Sequence, residues 1–223
     1  MATDSVTSSA RTEMLRRIRA AMGGVSEAAA ARRRWDGITR EYRSAGLLGR
    51  EAVLKLLEDR LVDYDARVVR VGPAGVAREV AERLRERAVR RMVVPGGLEV
   101  GWLPGSVEGV EFVVDTGLPV SELNEFDGVM TGATVAIAET GTVVLQNVAG
   151  EGRRAATLVP DYHLCVVRAE DVVETVPEAM ARLQETAAVA TTFVSGPSAT
   201  ADIEMTRIKG VHGPRFLDVI LIV

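Results

Sequence analysis

The stretch TGATVAIAETGTVVLQN, residues 131–147, decides the fold class. It lies within residues 128–150, where Glu139 is the only charged residue among glycines and many β-branched side chains. β-Branched residues favour strands, and the glycines and the charge argue against a membrane span. We therefore predict two buried strands, ATVAIA and TVVLQN, joined across residues 139–141 by a hairpin or a sharply bent strand.

Strands and helices alternate on both sides of this stretch. The further predicted strands cover residues 66–71, 91–95, 110–115, 162–168, 191–196 and 216–223. The predicted helices cover residues 50–62, 73–88, 118–130 and 170–185. Pro177 inside the last helix indicates either a new first turn or a kink. Such alternation predicts an α/β fold: a three-layer arrangement of one sheet with helices on both faces.

The first 48 residues form a predicted N-terminal helical extension, and residues 49–223 a single α/β domain. A helix over residues 12–22 places Met14, Leu15, Ile18 and Met22 on one stripe. A second helix is expected from Ser26, its cap, through Tyr42. Its arginine run, residues 32–34, is interpreted as a solvated face or a partner surface rather than a nucleic-acid site.

The composition excludes several classes of protein. The chain has 223 residues with a net charge of −4, which argues against a general nucleic-acid binder. One cysteine and two histidines provide no disulfide, no iron–sulfur cluster held by this chain alone, and no credible metal site. The N-terminus MATDSVTSSAR lacks the apolar core of a signal peptide, so we expect a cytoplasmic protein without a membrane segment.

Glu139 is the first candidate catalytic residue. A carboxylate between two buried strands is partly desolvated, which raises its pKa and suits a general base, acid or nucleophile. Thr140, Gly141 and Thr142 add hydroxyls and an approachable backbone, and so are candidate substrate contacts. The alternative is a glutamate at an exposed hairpin tip, or one paired with an arginine for structural reasons.

The second candidate is the turn VSGPSATADIE, residues 194–204, directly after a strand. Its backbone amides and hydroxyls are expected to converge on an anion, which makes candidates of Ser195, Gly196, Ser198 and Thr200. Asp202 orients hydroxyls in this interpretation, or holds a cation near a phosphate. A tight turn with a capping hydroxyl is the structural alternative.

Two arginines and two histidines complete the candidate set. Arg153 and Arg154, in the segment GEGRR, are available to a carboxylate or a phosphate, although the pattern by itself favours a glycine-rich loop with solvated arginines. His163 alternates with apolar residues in a strand, where a satisfied core histidine competes with a catalytic one. His212 lies beside a turn in GVHGP. Cys165 shares the strand face of His163 and is interpreted as an inert buried thiol.

Four blocks, in order, resemble the LUD-domain family of lactate-utilisation proteins: GATVAIAETGTVVL at 132–145, GRRAATLVPDYHLCVV at 152–167, SGPSATADIE at 195–204 and GVHGPR at 210–215. The resemblance implies a fold like that of sugar-phosphate isomerases and CoA transferases. It also implies a role in bacterial L-lactate oxidation to pyruvate, alongside separate subunits that carry iron–sulfur clusters. It adds weight to the residues Glu139, Thr140, Gly141, Arg153, His163, Gly196, Ser198, Asp202 and His212.

Three functional hypotheses follow. The first is a subunit of a lactate-oxidising system, in which an arginine pairs with the substrate carboxylate and a histidine takes the hydroxyl proton. The second is a CoA-transferase-like group-transfer enzyme with Glu139 as nucleophile, which rests on fold analogy. The third is a non-catalytic binding or assembly module that docks a partner through the N-terminal helices. The sequence identifies no cofactor.

Overall fold

The computed structural model describes residues 3–23, 27–105, 107, 109–201, 207–209 and 213–223. The chain divides into two compact units, residues 1–42 and residues 43–223. The domain boundary that the sequence predicts near residue 48 stays a prediction. Residues 46–48 belong to the larger unit, where the backbone amides of Leu47 and Leu48 donate to the carboxylate of Glu174 at 2.8 and 2.7 Å.

Six α-helices occur in the described residues: α1 (Thr3–Ala21), α2 (Ala28–Asp36), α3 (Arg50–Asp63), α4 (Val76–Glu86), α5 (Val120–Leu123) and α6 (Val176–Leu183). Twelve strands occur there as well: β1 (Arg67–Val71), β2 (Arg91–Pro95), β3 (Glu111–Asp115), β4 (Gly128–Thr131), β5 (Val135–Ile137), β6 (Thr142–Gln146), β7 (Tyr162–Arg168), β8 (Val172–Val173), β9 (Thr191–Val194), β10 (Ala199–Ala201), β11 (Arg207–Lys209) and β12 (Phe216–Ile222). No helix in this part of the chain combines the length and apolar character that crossing a membrane requires.

The main sheet has six parallel strands in the order β1-β12-β7-β4-β2-β3. Strand β7 lies at its centre, between β12 and β4. In the register of these strands, His163 stands between Val129 of β4 and Leu217 of β12. A histidine is thus placed inside the most buried part of the sheet.

The hairpin predicted across residues 139–141 is present, but it belongs to a second sheet. Strands β5 and β6 are antiparallel, and the order of this four-stranded sheet is β8-β5-β6-β9. The expectation that all strands complete one sheet is therefore wrong. A short antiparallel pair, β10 with β11, was not predicted.

The α/β class with helices on both faces is confirmed. On one face of the main sheet, α4 buries Val76, Val80 and Leu84 against strand residues such as Leu164 and Ile220. On the other face, α3 and the second sheet pack together against the side chains of Cys165, Val167, Leu217, Val219 and Leu221. Helix α6 covers the outer face of the second sheet through Ala179 and Leu183.

The predicted helix over residues 170–185 is wrong in its first half. Val172 and Val173 form strand β8, which pairs in parallel with Ala136 and Ile137 of β5. The helix begins only at Val176, because Thr175 and Glu178 form a capping box. Pro177 lies in the first turn, which is the first of the two predicted roles.

The predicted helix over residues 118–130 is also wrong for most of its length. Only Val120–Leu123 is helical, and Gly128 begins strand β4 between β2 and β7. A Cβ at Gly128 would lie 2.7 Å from Met92 Sδ and 2.9 Å from the Tyr162 carbonyl. The close approach of the neighbouring strands therefore requires glycine there.

The smaller unit contains α1 and α2. Helix α1 begins at Thr3, earlier than predicted, and α2 ends at Asp36 before Gly37 rather than at Tyr42. The predicted cap, Ser26, lies outside the described residues. The stripe on α1 is exposed, with Met14 at 64%, Ile18 at 48% and Met22, one residue beyond the helix, at 76%.

Candidate functional site

A cavity of about 350 Å³ lies between the two sheets, at the amino ends of β7 and β12 and beyond the carboxyl end of β9. It brings together residues from three of the four blocks singled out in the sequence. Its described lining residues are Arg154, Thr157, His163, Phe193, Val194, Ser195, Gly196, Pro197, Ser198, Ala199, Gly213, Pro214 and Leu217. The lining therefore combines one cation, one imidazole, several hydroxyls and an apolar wall.

His163 is the imidazole of this cavity. It is 1% exposed, and its Nε2 lies 2.8 Å from Thr131 Oγ1. Burial, together with the positive charge of Arg154, lowers the pKa of His163 to about 4. The imidazole is therefore neutral at pH 7. A neutral imidazole accepts a hydrogen bond at one nitrogen and donates at the other.

Arg154 is the cation of this cavity, and it is exposed. Among the described residues, its Nη1 donates two long hydrogen bonds, both of 3.4 Å, to the carbonyl and the hydroxyl of Thr157. No carboxylate pairs with Arg154 within the described part of the chain. Its guanidinium is thus available for a bidentate contact with an incoming carboxylate.

Arg153 has a different environment from its neighbour. Its Nε donates to Asp115 Oδ2 at 2.7 Å and its Nη2 to Asp115 Oδ1 at 3.0 Å. Nη2 also donates to the carbonyl of Leu118. Arg153 is absent from the described cavity lining, so the structure separates the two arginines that the sequence presented as equivalent.

The turn after β9 forms one wall of the cavity, and two of its residues offer no backbone amide to a ligand. Pro197 has no N–H, and the amide of Ser198 donates to the Pro214 carbonyl at 2.8 Å. Gly196 has φ +77, and a Cβ there would lie 2.5 Å from Tyr64 Cβ. The turn is therefore held against the end of α3, and it presents the Ser195 and Ser198 side chains.

The tip of the β5–β6 hairpin, which carries Glu139, contacts this turn through hydroxyl groups. Ser195 Oγ lies 2.6 Å from Thr142 Oγ1, which is 2.7 Å from Thr140 Oγ1. Glu139 itself forms an ion pair with Arg43 and is absent from the described lining. Gly141, with φ +57, packs against the Arg60 backbone. These contacts match the structural alternative for Glu139, a glutamate paired with an arginine.

Three of the predicted site residues lie wholly or partly outside the residues that the structure describes. Asp202 and His212 are not among the described residues, and for Thr200 only the backbone in β10 is described. Other residues at the site were missed from the sequence, chiefly Thr131, Thr157, Phe193 and Leu217. Thr131 meets His163 only through the pairing of β4 with β7, and no local pattern signals that contact.

Among the described residues, no group of three or more His, Cys, Asp or Glu side chains is placed to hold a metal ion. Cys165 is fully buried, and burial raises its pKa to about 12. With a single cysteine, this chain cannot by itself supply the thiolate ligands of an iron–sulfur cluster.

Comparisons with known proteins agree with these blocks. A family model of the LUD domain matches residues 121–222, which span β4 to β12 and every described residue of the cavity. The chain is 38% identical over 227 residues to lactate utilization protein C of Deinococcus radiodurans, with 100% of both covered. It is 28% identical over 230 residues to the protein of that name from Bacillus pumilus, covering 93% of this chain and 94% of the relative.

A solved structure confirms the fold. A DUF162 family protein from Deinococcus radiodurans is similar at 35% identity with a TM-score of 0.68. The match covers 79% of this chain and 100% of that chain.

Proposed function

Because this chain belongs to the lactate utilization protein C family of LUD-domain proteins, we propose that it is the lactate-binding subunit of a bacterial L-lactate oxidation system. The cavity at His163 is the proposed site. Its ligand is a small 2-hydroxy carboxylate, with L-lactate as the first member of the class.

One observation carries this proposal: an arginine without a carboxylate partner among the described residues and a neutral histidine line the same cavity. Lactate bears a carboxylate and a hydroxyl on adjacent carbons. A guanidinium binds the first by paired N–H donors, and a neutral imidazole accepts a hydrogen bond from the second. The apolar wall of Phe193, Val194 and Leu217 suits the methyl group.

Oxidation of lactate to pyruvate releases two electrons and two protons. The chain has one cysteine, and it is buried with a raised pKa. We therefore place the electron acceptors, iron–sulfur clusters, on separate partner subunits. In this division of labour the present chain binds the substrate, with its carboxylate at Arg154 and its hydroxyl hydrogen-bonded to His163, and the partner subunits take up the two electrons and the two protons.

The group-transfer alternative requires Glu139 to attack a bound acyl group. Glu139 is paired with Arg43 and does not appear in the described cavity lining, so no contact favours this reaction. The assembly hypothesis has one supporting observation, the exposed apolar stripe on α1. We propose that this stripe contributes to docking of the partner subunits, in addition to lactate binding in the larger unit.

Isothermal titration calorimetry with L-lactate at pH 7.5 tests the binding role. The wild-type chain is expected to bind, and Arg154→Gln is expected to weaken binding at least tenfold, since a hydrogen bond to a charged group contributes about 1.5–3 kcal/mol. Arg85→Gln, an exposed arginine on α4, is the matched control and should bind as wild type. Equal binding by Arg154→Gln and wild type would contradict the proposed site.

A further inference from the structure

We propose that Thr131 and Cys165 are positioning residues that hold His163 in one neutral tautomer, with the proton on Nε2 and the lone pair of Nδ1 facing the cavity. The consequence is selectivity: the site accepts 2-hydroxy acids and disfavours the corresponding 2-oxo acids. The selectivity assumes that the ligand hydroxyl binds at Nδ1, and only that assignment rests on the proposed function.

A chain of hydrogen bonds with a fixed direction carries the inference. It ends at the backbone carbonyl of Gly132, which can only accept, so Cys165 Sγ donates to it over 3.6 Å. Thr131 Oγ1 donates to Cys165 Sγ over 3.8 Å. The single hydroxyl proton of Thr131 is then in use, so its oxygen accepts from His163 Nε2 at 2.8 Å.

The protonation state of Cys165 agrees with this direction. The thiol is fully buried, and burial raises its pKa to about 12, so the sulfur keeps its proton at neutral pH. A protonated thiol is a weak donor that can accept as well. In the opposite direction, with Thr131 donating to Nε2, the sulfur receives no hydrogen bond from the hydroxyl. The proposed direction therefore satisfies one more polar group in a buried site.

The sheet holds these partners in place. Thr131 and Cys165 are register partners on adjacent parallel strands, and His163 precedes Cys165 by two residues on the same face of β7. Thr131 is fully buried, as is Cys165. The imidazole is therefore oriented by two side chains on rigid strands rather than by a loop.

The charge of Arg154 supports the same tautomer independently. This guanidinium lines the cavity with His163, and its positive charge acts on the imidazole. A lone pair on Nδ1 is attracted by that charge, whereas an N–H at Nδ1 would present a positive dipole end to it. Within the described residues, no hydrogen bond engages Nδ1.

An Nδ1 lone pair distinguishes two ligands that share a carboxylate. The hydroxyl of lactate donates to Nδ1, whereas the carbonyl of pyruvate has no proton to donate and would face the lone pair. Sites built to hydrogen-bond one group reject the analogue that lacks it, because a buried polar atom is left unpaired. We expect L-lactate to bind at least tenfold more tightly than pyruvate at pH 7.5.

The test is long-range ¹H–¹⁵N NMR of the ligand-free full chain with ¹⁵N-labelled histidine, at pH 7.5. The chain has two histidines, and a His212→Gln variant assigns the signals of His163. The expected result is a protonated Nε2 and an unprotonated Nδ1. A protonated Nδ1 in the wild type would overturn the inference.

Variants separate positioning from a merely structural role. Thr131→Ser keeps the hydroxyl and is expected to retain the Nε2–H tautomer, whereas Thr131→Val and Cys165→Ala are expected to raise the Nδ1–H fraction. An unchanged tautomer in a folded Thr131→Val would contradict the role of Thr131. If Thr131→Val does not fold, the spectra of the wild type and of Cys165→Ala still determine which nitrogen of His163 is protonated and whether Cys165 affects it.

Failure of the inference and failure of the proposed function give different results. Lactate binding with a protonated Nδ1 would overturn the tautomer and leave the function intact. An Nε2–H tautomer without any lactate binding would leave the tautomer intact and overturn the function. Equal affinities for lactate and pyruvate would contradict the selectivity.

Discussion

Arg153 Nε donates to Asp115 Oδ2 over 2.7 Å, an ion pair that ties the loop after β6 to the carboxyl end of β3. The Asp115 carboxylate, of which 4% is exposed, also accepts from the amides of Gly117 and Leu118 at 3.0 Å. The pair explains why the adjacent Arg154 is the arginine that remains at the cavity. Arg153 stabilises the loop that presents Arg154.

Replacement of Arg153 with alanine is therefore expected to affect stability. Removing one partner leaves Asp115 uncompensated, and we expect a loss of about 2 kcal/mol, below the value for a fully buried pair because Arg153 is partly exposed. Urea unfolding measures the free energy. Arg85→Ala should unfold as wild type, and an unchanged unfolding free energy for Arg153→Ala would show that the ion pair is not structural.

The stability of the fold should fall in mild acid because His163 is buried as the neutral form. Its pKa in the folded chain is about 4, below the value of 6.5 in an unfolded chain, so the unfolded state binds more protons between these values. The unfolding free energy is then unaffected by His163 above pH 6.5 and decreases by about 3 kcal/mol as the pH falls to 4. Chemical denaturation between pH 4 and 8 measures this slope. A folded His163→Gln variant should lose it, and the same slope in that variant would assign it to other groups.

Gly196 is expected to tolerate no side chain. Its φ of +77 disfavours L-residues, and a Cβ would overlap Tyr64. Gly196→Ala should lower the unfolding free energy by about 2–4 kcal/mol and weaken lactate binding, since the turn forms a cavity wall. Gly72→Ala is the control, because a Cβ at Gly72 meets nothing within 4 Å and φ there is −73. Equal stability of the two variants would refute the packing of this turn.

The stripe on α1 is expected to act in assembly and not in folding. Ile18→Glu and Met14→Glu replace exposed side chains, so they should leave the unfolding free energy within about 0.5 kcal/mol of wild type. They should abolish co-purification with the proposed iron–sulfur subunits while the proposed lactate binding persists. Ala20→Glu, exposed elsewhere on the same helix, controls for the added charge. Intact complexes of Ile18→Glu would remove α1 from the interface.

The alternation of strands and helices was predictable from the sequence because it depends on local patterns. Strand β7, helix α3 and the hairpin of β5 and β6 are examples. The division into two sheets was not predictable, because β8 is only two residues long and is defined by its pairing with β5. Gly128 similarly begins a strand because its neighbours approach closely, which depends on residues distant in the sequence.

The sequence predicts part of the candidate site, because some of its residues lie in recognisable local patterns and others meet only through contacts between distant parts of the chain. His163, Arg154, Ser195, Gly196 and Ser198 were expected and line one cavity. The isolation of Glu139 among apolar residues predicts a catalytic carboxylate, but its ion-pair partner Arg43 is almost a hundred positions away in the sequence. The contact between Thr131 and His163 depends on strand register, which single-sequence patterns do not reveal.

The most direct test of the proposed function is lactate-dependent reduction of the proposed iron–sulfur partners, purified anaerobically and followed spectroscopically, with and without this chain. We predict that reduction requires the wild-type chain, falls at least tenfold with Arg154→Gln, and is unchanged with Arg85→Gln. Reduction at the same rate without the chain, or with Arg154→Gln, would contradict the claim that this cavity presents lactate to the system.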